Sequence, residues 1–312
     1  MNKPLIVVLG GSGFLGRQLA QCLVQAGYRV RIPSRNRNLA MKAAAMPGVE
    51  LVSANIYDRA ALVELLRGAS AAVNLVGILN EKGDNGRGFH KAHVELTEIL
   101  IDSCKQAGVK RLLQMSALNA GRGSSYYLKT RGEAEQRVRD SGLDWTIFQP
   151  SVMFGRADTL FNRFAALLRI APIMPLARAG TKFAPVYVGD VARAMVVALG
   201  NSGTIGQSYE LYGDRIMSLE ELVRYTGELI GRKPWIIRLP DALGRLQALA
   251  MDFVPGKPFS SDNYRSLALD SVGGVDGLYK LGVEKTSVDA IVPLILGQTG
   301  RQVMLDRGRQ VR

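Results

Sequence analysis

The fold is decided by residues 5–27, which read LIVVLGGSGFLGRQLAQCLVQAG. The apolar run Leu5–Leu9 is typical of a strand buried on both faces. Glycines at positions 10, 11 and 13 predict a tight turn whose backbone amides are not covered by side chains. An amphipathic stretch then runs to Gly27, a residue type that commonly ends helices. The stretch therefore predicts a strand, a glycine-rich turn and a helix in succession.

This turn predicts a dinucleotide site. The helix offers the positive end of its dipole to phosphate oxygens, and the missing side chain at Gly16 lets helix and strand pack closely. A glycine pattern alone is often only a turn, but the flanking strand and helix favour binding of a dinucleotide pyrophosphate. The residues predicted to contact the nucleotide here are Gly10, Ser12, Gly13, Phe14, Leu15 and Gly16.

The end of the second strand indicates which dinucleotide is bound. An NAD-binding fold usually carries an acidic residue there for the ribose 2′-hydroxyl. Here the strand Tyr28–Ile32 is followed by Pro-Ser-Arg-Asn-Arg, with no acid. Arg35 can pair with a 2′-phosphate, Ser34 can donate a hydroxyl, and Arg17 can reach the same region. The alternative is that these arginines are solvated surface charge. NADP(H) is therefore preferred, with NAD(H) as the alternative cofactor.

Size and composition are those of an ordinary soluble globular protein. The chain has 312 residues, enough for one large domain or for a domain with a smaller lobe. Cys22 and Cys104 both fall on apolar helix faces, which suits a reducing compartment better than a disulfide or a metal site. The start, Met-Asn-Lys-Pro followed at once by a strand, does not fit a signal peptide. No apolar run reaches the roughly 18 residues that span a bilayer.

The formal net charge of +13 is the unusual number in the composition. Basic residues are scattered, although the end of the chain, with Arg301, Arg307, Arg309 and Arg312, is rich in arginine. We expect no nucleic-acid partner, because basic and aromatic residues do not interleave and no known binding motif is present. A basic face toward an anionic membrane or an acidic protein partner is favoured, and solubility alone is the alternative.

Strand-like and helix-like segments alternate through the first half of the chain. This order predicts βαβ units and an α/β fold with a doubly wound parallel sheet, or Rossmann fold. The pattern loosens after Gly155. Ser218 with Glu221 forms a capping box, and Thr286 with Asp289 is predicted to cap a last helix. The predicted organisation is a core at 1–155 to which 181–212 returns, a small lid lobe at 156–180 and 213–297, and a flexible basic tail at 298–312.

Three residues form a candidate catalytic group. Ser116 ends the fifth predicted strand, and Tyr127 and Arg131 follow on a helix at positions i and i+4, hence on one face. A cation fixed beside a tyrosine lowers the phenol pKa, so that Tyr127 can exchange a proton with a carbonyl or alcohol. Ser116 can hold the substrate oxygen. On these residues alone, an ordinary helix with Tyr127 half-buried and Arg131 solvated is the simpler interpretation.

The serine, the Tyr-x-x-x-basic spacing and the glycine turn resemble the short-chain dehydrogenase/reductase superfamily, as does Gln149–Gly155. The chain resembles more closely an atypical branch, the NAD(P)H-binding accessory subunit of respiratory complex I and its bacterial relatives. The segments that carry this likeness are Asn74–Gly77, Phe161–Phe164, Pro185–Val191 and Leu239–Leu243. The resemblance implies a small C-terminal lobe over the nicotinamide end of the cleft. It also implies further cofactor contacts from Asn55, Ile56, Val76, Gly77, Pro150 and Val152.

The chain departs from the family at two positions. The catalytic lysine of active relatives is Arg131 here, and the change is not conservative because a guanidinium is larger and planar. Asn55 stands where relatives usually carry an aspartate near the adenine, and its amide can still bind the base. In the complex I subunit, the resemblance implies a bound nucleotide with a structural role and no established turnover.

Two other features have weaker interpretations. His90 and His93 lie three residues apart, but no Cys, Asp or Glu cluster completes a metal site, so a structural or cofactor-adjacent role is favoured. The apolar segment 161–176 is either plain core or a lid over a lipophilic, quinone-like or isoprenoid substrate. In the lid hypothesis, Phe161 and Phe164 contact that substrate.

Three functions remain open from the sequence. The first is an NADP(H)-dependent oxidoreductase acting on a carbonyl, alcohol or quinone-related small molecule. The second is a non-catalytic nucleotide-binding accessory or assembly factor of a membrane-associated respiratory or quinone-biosynthesis complex. The third is a sugar-nucleotide epimerase or dehydratase, which shares the fold but is disfavoured by the apolar lid and the missing lysine. The expected location is cytoplasmic, peripheral at the inner face of the membrane.

Overall fold

A computed structural model describes residues 3–35, 46–255 and 257–297. Its centre is a seven-stranded sheet in the order β11-β6-β5-β4-β1-β2-β3, in which every neighbouring pair is parallel. The doubly wound α/β fold is therefore confirmed. The strands of this sheet are β1 (Leu5–Leu9), β2 (Arg29–Ser34), β3 (Val49–Ser53), β4 (Ala71–Asn74), β5 (Arg111–Met115), β6 (Asp144–Pro150) and β11 (Gln207–Leu211).

Helices cover both faces of the sheet, as its apolar strands require. The helices of this core are α1 (Phe14–Gln25), α2 (Arg59–Leu66), α3 (Arg87–His90), α4 (Leu96–Ala107), α5 (Tyr126–Arg139), α7 (Val188–Gly200) and α11 (Gly277–Lys280). On one face α1 packs against α7 through residues such as Leu19 and Met195. On the other face α2 packs against α4 through residues such as Leu66 and Leu100.

The strand order reverses between β1 and β4. These neighbours run parallel with Leu9 opposite Asn74, so that the ends of both strands open at the same edge of the sheet. Chain segments leave this edge in opposite directions, which creates a crevice there. The glycine-rich turn after Leu9 therefore lies at the position where doubly wound folds bind ligands.

Some boundaries in the core differ from the sequence prediction. The strand predicted over 71–77 ends at Asn74, because the Asn74 Oδ1 accepts a hydrogen bond from Val76 N and turns the chain. The helix predicted over 89–107 starts at Arg87 and contains a π-helical segment, Lys91–Glu95, between α3 and α4. Ser116 follows β5 directly, and its backbone N still donates to Phe148 O on β6 at 2.7 Å.

A smaller lobe lies over the carboxyl edge of the sheet. It contains α6 (Phe161–Ile170), α8 (Leu219–Leu229), α9 (Asp241–Met251), α10 (Ser261–Ser266) and α12 (288–297). Short strand pairs accompany these helices: β8 (Ile173–Ala177) with β13 (Trp235–Leu239), and β9 (Lys182–Phe183) with β12 (Met217–Ser218). A further pair, β7 (Met153–Phe154) with β10 (Val186–Tyr187), lies where the core passes into the lobe.

The division between core and lobe differs from the predicted one at two places. Strand β9 lies in 181–212 but pairs with β12 of the lobe. Residues 277–283 were predicted in the lobe, yet Leu278, Leu281 and Val283 fill the core between β11 and α7. Burial of these apolar side chains against the last strand of the sheet accounts for the second difference.

One of the two predicted helix caps is confirmed. Ser218 and Glu221 form the reciprocal capping box at the start of α8. The predicted cap at Thr286 is wrong, because its backbone N and hydroxyl both bind the buried Asp190 carboxylate, at 2.7 Å each. Ser287 takes the capping position instead, with its Oγ accepting from Asp289 N. The predicted tail at 298–312 lies outside the described residues.

Cys22 and Cys104 are both free, and burial raises the pKa of the Cys104 thiol to about 12. Within the described ranges, no helix combines the length and the hydropathy needed to cross a bilayer.

Candidate functional site

The glycine-rich turn is built from positions that only glycine can occupy. Gly10 has a φ of +77°, and a Cβ there would lie 3.2 Å from the backbone of Leu75 and Val76. A Cβ at Gly16 would overlap the carbonyl oxygens of Gly10 and Gly11. The first helical turn of α1 therefore packs directly on the loop backbone, as close helix–strand packing in a dinucleotide site requires.

The start of α1 is arranged to receive an anion. Gly13 is the N-cap residue and brings no capping side chain, and the first turn of the helix contains no acidic residue. Gly13 N donates to Gly10 O at 2.9 Å, which closes the turn. The following amides and the helix dipole face the crevice and can bind phosphate oxygens.

A cavity of about 610 Å³ extends along the carboxyl edge of the sheet from this turn. One end lies at Ser34 and Arg35, and the other at Tyr127 and Arg131. Its volume is in the range of cofactor pockets. The structure brings together in its lining most of the predicted site residues: Gly10, Ser12, Gly13, Phe14, Leu15, Gly16, Ser34, Arg35, Ile56, Val76, Gly77, Ser116, Tyr127, Arg131, Pro150 and Val152.

Two predicted cofactor residues lie elsewhere. Arg17 does not line the cavity. Its Nη1 instead donates to Ser12 O at 2.8 Å, and this bond stabilises the glycine turn. Asn55 is exposed, and its Oδ1 accepts from Tyr57 N at 3.2 Å. Its neighbours Ala54 and Ile56 line the cavity instead. Of the arginines after β2, Arg35 is exposed at the cavity end, and Arg37 lies outside the described residues.

Helix α5 carries the candidate catalytic tyrosine and is fixed at its start from two sides. Ser125 Oγ accepts from Leu128 N at 3.1 Å, as an N-cap does. The carboxylate of Asp262, a lobe residue, accepts from Tyr126 N at 2.7 Å and from Tyr127 N at 3.1 Å. The position of Tyr127 is therefore set by the core and the lobe together.

Arg131 is buried beside Tyr127. Its side chain is 6% exposed, and its guanidinium carbon lies 5.5 Å from the centre of the Tyr127 ring. Nη1 donates to Met115 O at 2.9 Å, and Nε has no partner among the described residues. The interpretation of Arg131 as a solvated surface residue is therefore wrong. A Cβ at Gly77 would overlap the guanidinium, so the absence of a side chain there makes room for an arginine at 131.

His93, for which the sequence favours a structural or cofactor-adjacent role, lies beside Tyr127. Its Nε2 accepts from Ile78 N at 3.3 Å, so Nδ1 carries the hydrogen and donates to Thr130 Oγ1 at 2.9 Å. The ring lies edge-on to Tyr127 with the centroids 5.6 Å apart. Burial, together with the nearby Arg131 cation, lowers the pKa of His93 to about 2, so the ring is neutral at physiological pH. The neutral imidazole packs against the Tyr127 ring as an uncharged polar group.

His90 lies on the exposed side of the same helical run, apart from His93. In the described part of the chain, no three His, Cys, Asp or Glu side chains group as metal ligands would.

A second cavity of about 520 Å³ adjoins the first under the lobe. Tyr127, Pro150, Val152 and Thr159 line both cavities, so the tyrosine lies where they meet. Ser116, whose buried hydroxyl has no partner among the described residues, lines only the first cavity. Most of the second lining is apolar and includes Leu118, Leu128, Leu160, Leu167, Met174, Leu176, Met251, Phe259, Leu267 and Leu269.

Only one of the two predicted lid residues lines this cavity. Phe164 lines it, as the lid hypothesis expects. Phe161 does not, because its side chain is fully buried in the lobe, edge-on to Phe154 at 6.0 Å and to Tyr225 at 6.2 Å between ring centroids. The assignment of Phe161 as a substrate contact is therefore wrong.

The parallel sheet and the glycine cleft define an NAD(P)H-binding protein of the short-chain dehydrogenase/reductase type. Residues 10–164 match the NAD(P)H-binding family. The chain is 30% identical over 277 residues to NADH dehydrogenase [ubiquinone] 1 alpha subcomplex subunit 9 of Arabidopsis thaliana, covering 86% of this chain and 68% of that protein. The protein belongs to the family of this complex I subunit, as the sequence resemblance predicts.

Reductases are also among its relatives. A ceramide reductase of Caulobacter vibrioides is 27% identical over 248 residues, which are 77% of this chain and 74% of that protein. An NADPH-dependent quinone oxidoreductase of Escherichia coli, solved with NADPH, shares the fold with a TM-score of 0.75 at 20% identity, covering 93% and 99% of the two chains. Other solved proteins of this fold hold NAD. Among the solved proteins of this fold, both NADPH and NAD therefore occur as the bound nucleotide.

Proposed function

We propose that this protein is an NADP(H)-dependent oxidoreductase that reduces a lipophilic carbonyl or quinone-related compound. The observation that carries the proposal is the position of Tyr127, at the junction of the nucleotide cavity and the apolar cavity, with Arg131 beside it. A tyrosine at that junction contacts both a nucleotide and a substrate. This is the arrangement that hydride transfer coupled to proton transfer requires.

The nucleotide is held along the first cavity. Its pyrophosphate binds the amides of the glycine turn and of the start of α1, and its ribose 2′-phosphate binds Ser34 and Arg35 at the cavity end. When bound, the reduced nicotinamide supplies a hydride. The absence of an acid after β2 supports NADPH over NADH, because nothing there repels a phosphate.

The protein's own groups handle the proton. Tyr127 donates from its phenol to the reacting oxygen, and the Arg131 cation stabilises the phenolate that remains. The hydrogen bond from Arg131 to Met115 O holds the guanidinium within reach of the ring. Ser116 lines the same cavity, and its hydroxyl has no partner among the described residues. We place the substrate oxygen at this inner end of the cleft, where the Ser116 hydroxyl binds it.

The second cavity indicates the substrate class. Its lining contains one charged side chain, Arg163, whose Nη1 is already bonded to Pro258 O at 3.0 Å. An apolar substrate gains the free energy of burial there, whereas one arginine is the only charged group that the lining offers to the diphosphate of a sugar nucleotide. The Caulobacter relative is a ceramide reductase, and the structurally similar Escherichia protein is a quinone oxidoreductase, which is in keeping with a lipophilic carbonyl or quinone.

A second candidate function is a nucleotide-binding accessory subunit of a membrane-associated complex, without turnover. It is supported by the family relationship to a complex I subunit and by the arginine at position 131. Arg131 ties the ends of β4 and β5 together through bonds to Val76 O and Met115 O, which is a structural role. In both candidates we place the protein peripherally at the inner face of the membrane.

The test uses protein preloaded with NADPH and freed of excess nucleotide. Reduced-nicotinamide absorbance is followed on addition of quinones, aldehydes and ketones of increasing chain length. We expect loss of absorbance with a long-chain compound, abolition of that loss in Tyr127→Phe, and retained or higher activity in Arg131→Lys. Tyr126→Phe is the matched control, because Tyr126 does not line either cavity. A stable absorbance across the panel, with the nucleotide still bound, would establish the accessory function instead.

A further inference from the structure

The outer face of helix α9 is apolar and exposed. Gly244 and Ala248 pack inward, with Gly244 approaching Ala177 and Tyr264. Leu243, Leu246 and Leu249 point the other way and are 51%, 60% and 54% exposed. These three leucines, at spacings of three residues, lie on one side of the helix. An ordinary surface helix turns polar side chains toward solvent, whereas this helix turns leucines toward it.

The neighbouring strand pair also exposes apolar side chains to solvent. Trp235 lies beside Ile173 and Ile237 beside Pro175 in the parallel register of β13 and β8, so these side chains share one face. Trp235 is 74% exposed, and Ile173 and Ile237 are each 47% exposed. The alternate residues, such as Met174, point into the lobe. The chain therefore buries one face of this pair and leaves the other apolar face open.

The helix and the strand pair adjoin. Gln247 Nε2 of α9 donates to Pro175 O of β8 at 3.0 Å, and Phe253, one turn beyond α9, is 83% exposed. Ile170, at the end of α6 and just before β8, is 86% exposed. We call this surface the apolar face and define it by Ile170, Ile173, Trp235, Ile237, Leu243, Leu246, Leu249 and Phe253. Proteins that stay in water rarely leave so many large apolar side chains together.

Most charges around the apolar face are positive, and the acidic side chains at the ends of α9, Asp241 and Asp252, are paired with Arg245 and Lys257. The segments 161–180 and 229–240 contain no Asp or Glu, and they supply the basic side chains of this region. Arg232 and Lys233 are exposed directly before Trp235, and Arg169 directly before Ile170. Arg238 and Arg245 are already paired with Glu220 and Asp241. Basic residues bordering exposed leucine and tryptophan are complementary to a surface that is negative outside and apolar inside.

The lining of the apolar cavity reaches the lobe surface. Leu167, Ile173 and Pro175 belong to its lining and are also exposed at the lobe surface. Ile173 therefore belongs both to the apolar face and to the cavity lining.

We propose that the apolar face docks on an anionic lipid bilayer. Leu246, Phe253 and Trp235 insert at the level of the headgroups, and Arg232 and Lys233 contact lipid phosphates. A bilayer is favoured over a second copy of this chain, because two such basic surfaces repel each other. The docking itself is independent of turnover. The corollary that substrate enters the cavity from the bilayer rests on the proposed function.

The test measures co-sedimentation of the NADPH-loaded protein with vesicles. Vesicles of phosphatidylglycerol with phosphatidylethanolamine are compared with vesicles of phosphatidylcholine alone. We expect strong binding to the first and weak binding to the second. Trp235 reports the contact: its emission shifts to shorter wavelength and is quenched by brominated acyl chains. The other tryptophan, Trp145, is partly buried in the core and should not respond, so Trp235→Phe removes the signal and leaves binding largely intact.

Paired variants separate the two contributions. Leu246→Ser combined with Phe253→Ser should weaken vesicle binding by about tenfold or more, through lost apolar burial. Arg232→Gln with Lys233→Gln should weaken binding to the anionic vesicles by about fivefold per charge, and leave phosphatidylcholine binding unchanged. The matched control is Tyr279→Ser: Tyr279 is 83% exposed, as Phe253 is, but it lies on α11 against β11 and α7. Unchanged NADPH binding in each variant shows that it is folded.

Three results would overturn the docking proposal. The first is wild-type protein that stays in the supernatant with anionic vesicles. The second is serine variants that bind as well as the wild type. The third is a dimer, detected by light scattering, that the serine variants dissociate, since a second copy would then cover the face. None of these results bears on NADPH oxidation in detergent, which tests the proposed function separately.

Discussion

The buried guanidinium of Arg131 is accommodated by the residues that surround it. An arginine is longer than the lysine it replaces and needs space for a planar group. Gly77 supplies that space, because any side chain there would overlap the guanidinium. The backbone oxygen of Met115 takes one of its donors, and its charge remains near the Tyr127 ring. Arginine at 131 and glycine at 77 therefore form a matched pair.

In the proposed function, the preference for NADPH over NADH rests chiefly on the exposed residue Arg35. Arg35→Ala should weaken NADPH binding by about 10-fold to 100-fold, the value of one charge-assisted hydrogen bond, and leave NADH binding nearly unchanged. Titration of both nucleotides by fluorescence measures this. Arg17→Ala is the comparison, because Arg17 braces the glycine turn through Ser12 O and should affect both nucleotides alike. Equal losses for both nucleotides in Arg35→Ala would remove the proposed 2′-phosphate contact.

The neutral His93 predicts how stability depends on pH. Its pKa is lowered from 6.5 to about 2 in the folded protein, so only the unfolded chain takes up a proton as the pH falls through 6.5. The unfolded state is then favoured, and stability declines by about 1.4 kcal/mol per pH unit. The free energy of unfolding should fall by about 2 kcal/mol more between pH 7 and pH 5 in the wild type than in His93→Gln. Urea unfolding at the two pH values measures the difference.

His90→Gln provides the control for this experiment. His90 is the only other histidine, its side chain is 54% exposed, and it lies in the same helical run. Its replacement should leave the pH dependence as it is in the wild type. A wild-type slope that persists in His93→Gln would mean that another group carries the proton uptake.

At the scale of the element, helix α6 shows what helical spacing alone leaves open. Its sequence is apolar on more than one side, and the side that faces the ligand is decided by packing against α8 and by the rings of Phe154 and Tyr225. These contacts place Phe161 in the interior of the lobe and Phe164 at the cavity. The helix is predictable from local sequence, whereas its rotation about its own axis depends on residues far along the chain.

The two phenylalanines should therefore respond differently to truncation. Phe161→Ala should lower the free energy of unfolding by about 3–5 kcal/mol, because it leaves a cavity among packed rings. Phe164→Ala should cost less stability and weaken binding of a long-chain ligand, with NADPH binding unchanged in the folded variant. Urea unfolding and titration of an environment-sensitive fatty-acyl probe measure the two effects. A stability loss at Phe164 as large as that at Phe161 would place both residues in the core.

The glycine turn, the parallel sheet and the Tyr-x-x-x-Arg helix were predictable because their signals are local: an apolar run, a glycine spacing, a helical period. The positions of Arg17, Asn55 and Thr286 were not, because each of these polar side chains has a partner that spacing does not reveal. Thr286 binds Asp190, which lies 96 residues earlier in the chain. His93 was seen as one of two histidines, but its place behind Tyr127 depends on how α3 and the π-helical segment pack on α5. Composition and period carry no information about such long-range contacts.

At the scale of the whole molecule, the lobe and the core meet in a chain of polar contacts around the site. Arg265 of the lobe pairs with Asp84, in the loop after β4, and with Asp262. Lys257 Nζ donates to Gly83 O in the same loop at 2.8 Å, and Asn263 Nδ2 donates to Leu79 O at 3.1 Å. These contacts hold the segment 257–265 across the loop that borders both cavities.

Asp262 joins the segment 257–265 to the start of α5. It is 3% exposed and accepts from the first two amides of α5. Asp262→Ala would leave those two amides without their carboxylate partner and would remove one of the two carboxylates paired with Arg265, so we expect a loss of about 2 kcal/mol or more in unfolding free energy. Because the bonds join two parts of the molecule, hydrogen exchange should also rise together in 79–86, 126–129 and 257–266. Exchange measured by mass spectrometry resolves these segments.

Asp276→Ala distinguishes coupling between the lobe and the loop after β4 from the ordinary loss of a helix cap. Asp276 also caps a helix with its carboxylate, through Tyr279 N, but α11 packs on β11 and α7, far from the loop after β4. This variant should lose stability without raising exchange in 79–86. If Asp262→Ala raised exchange only within 126–129, the lobe and the loop would be independent, and the lobe could open while α5 stayed in place. Joint exchange in the three segments would instead mean that opening of the lobe displaces Tyr127 and exposes the nucleotide cavity in one step.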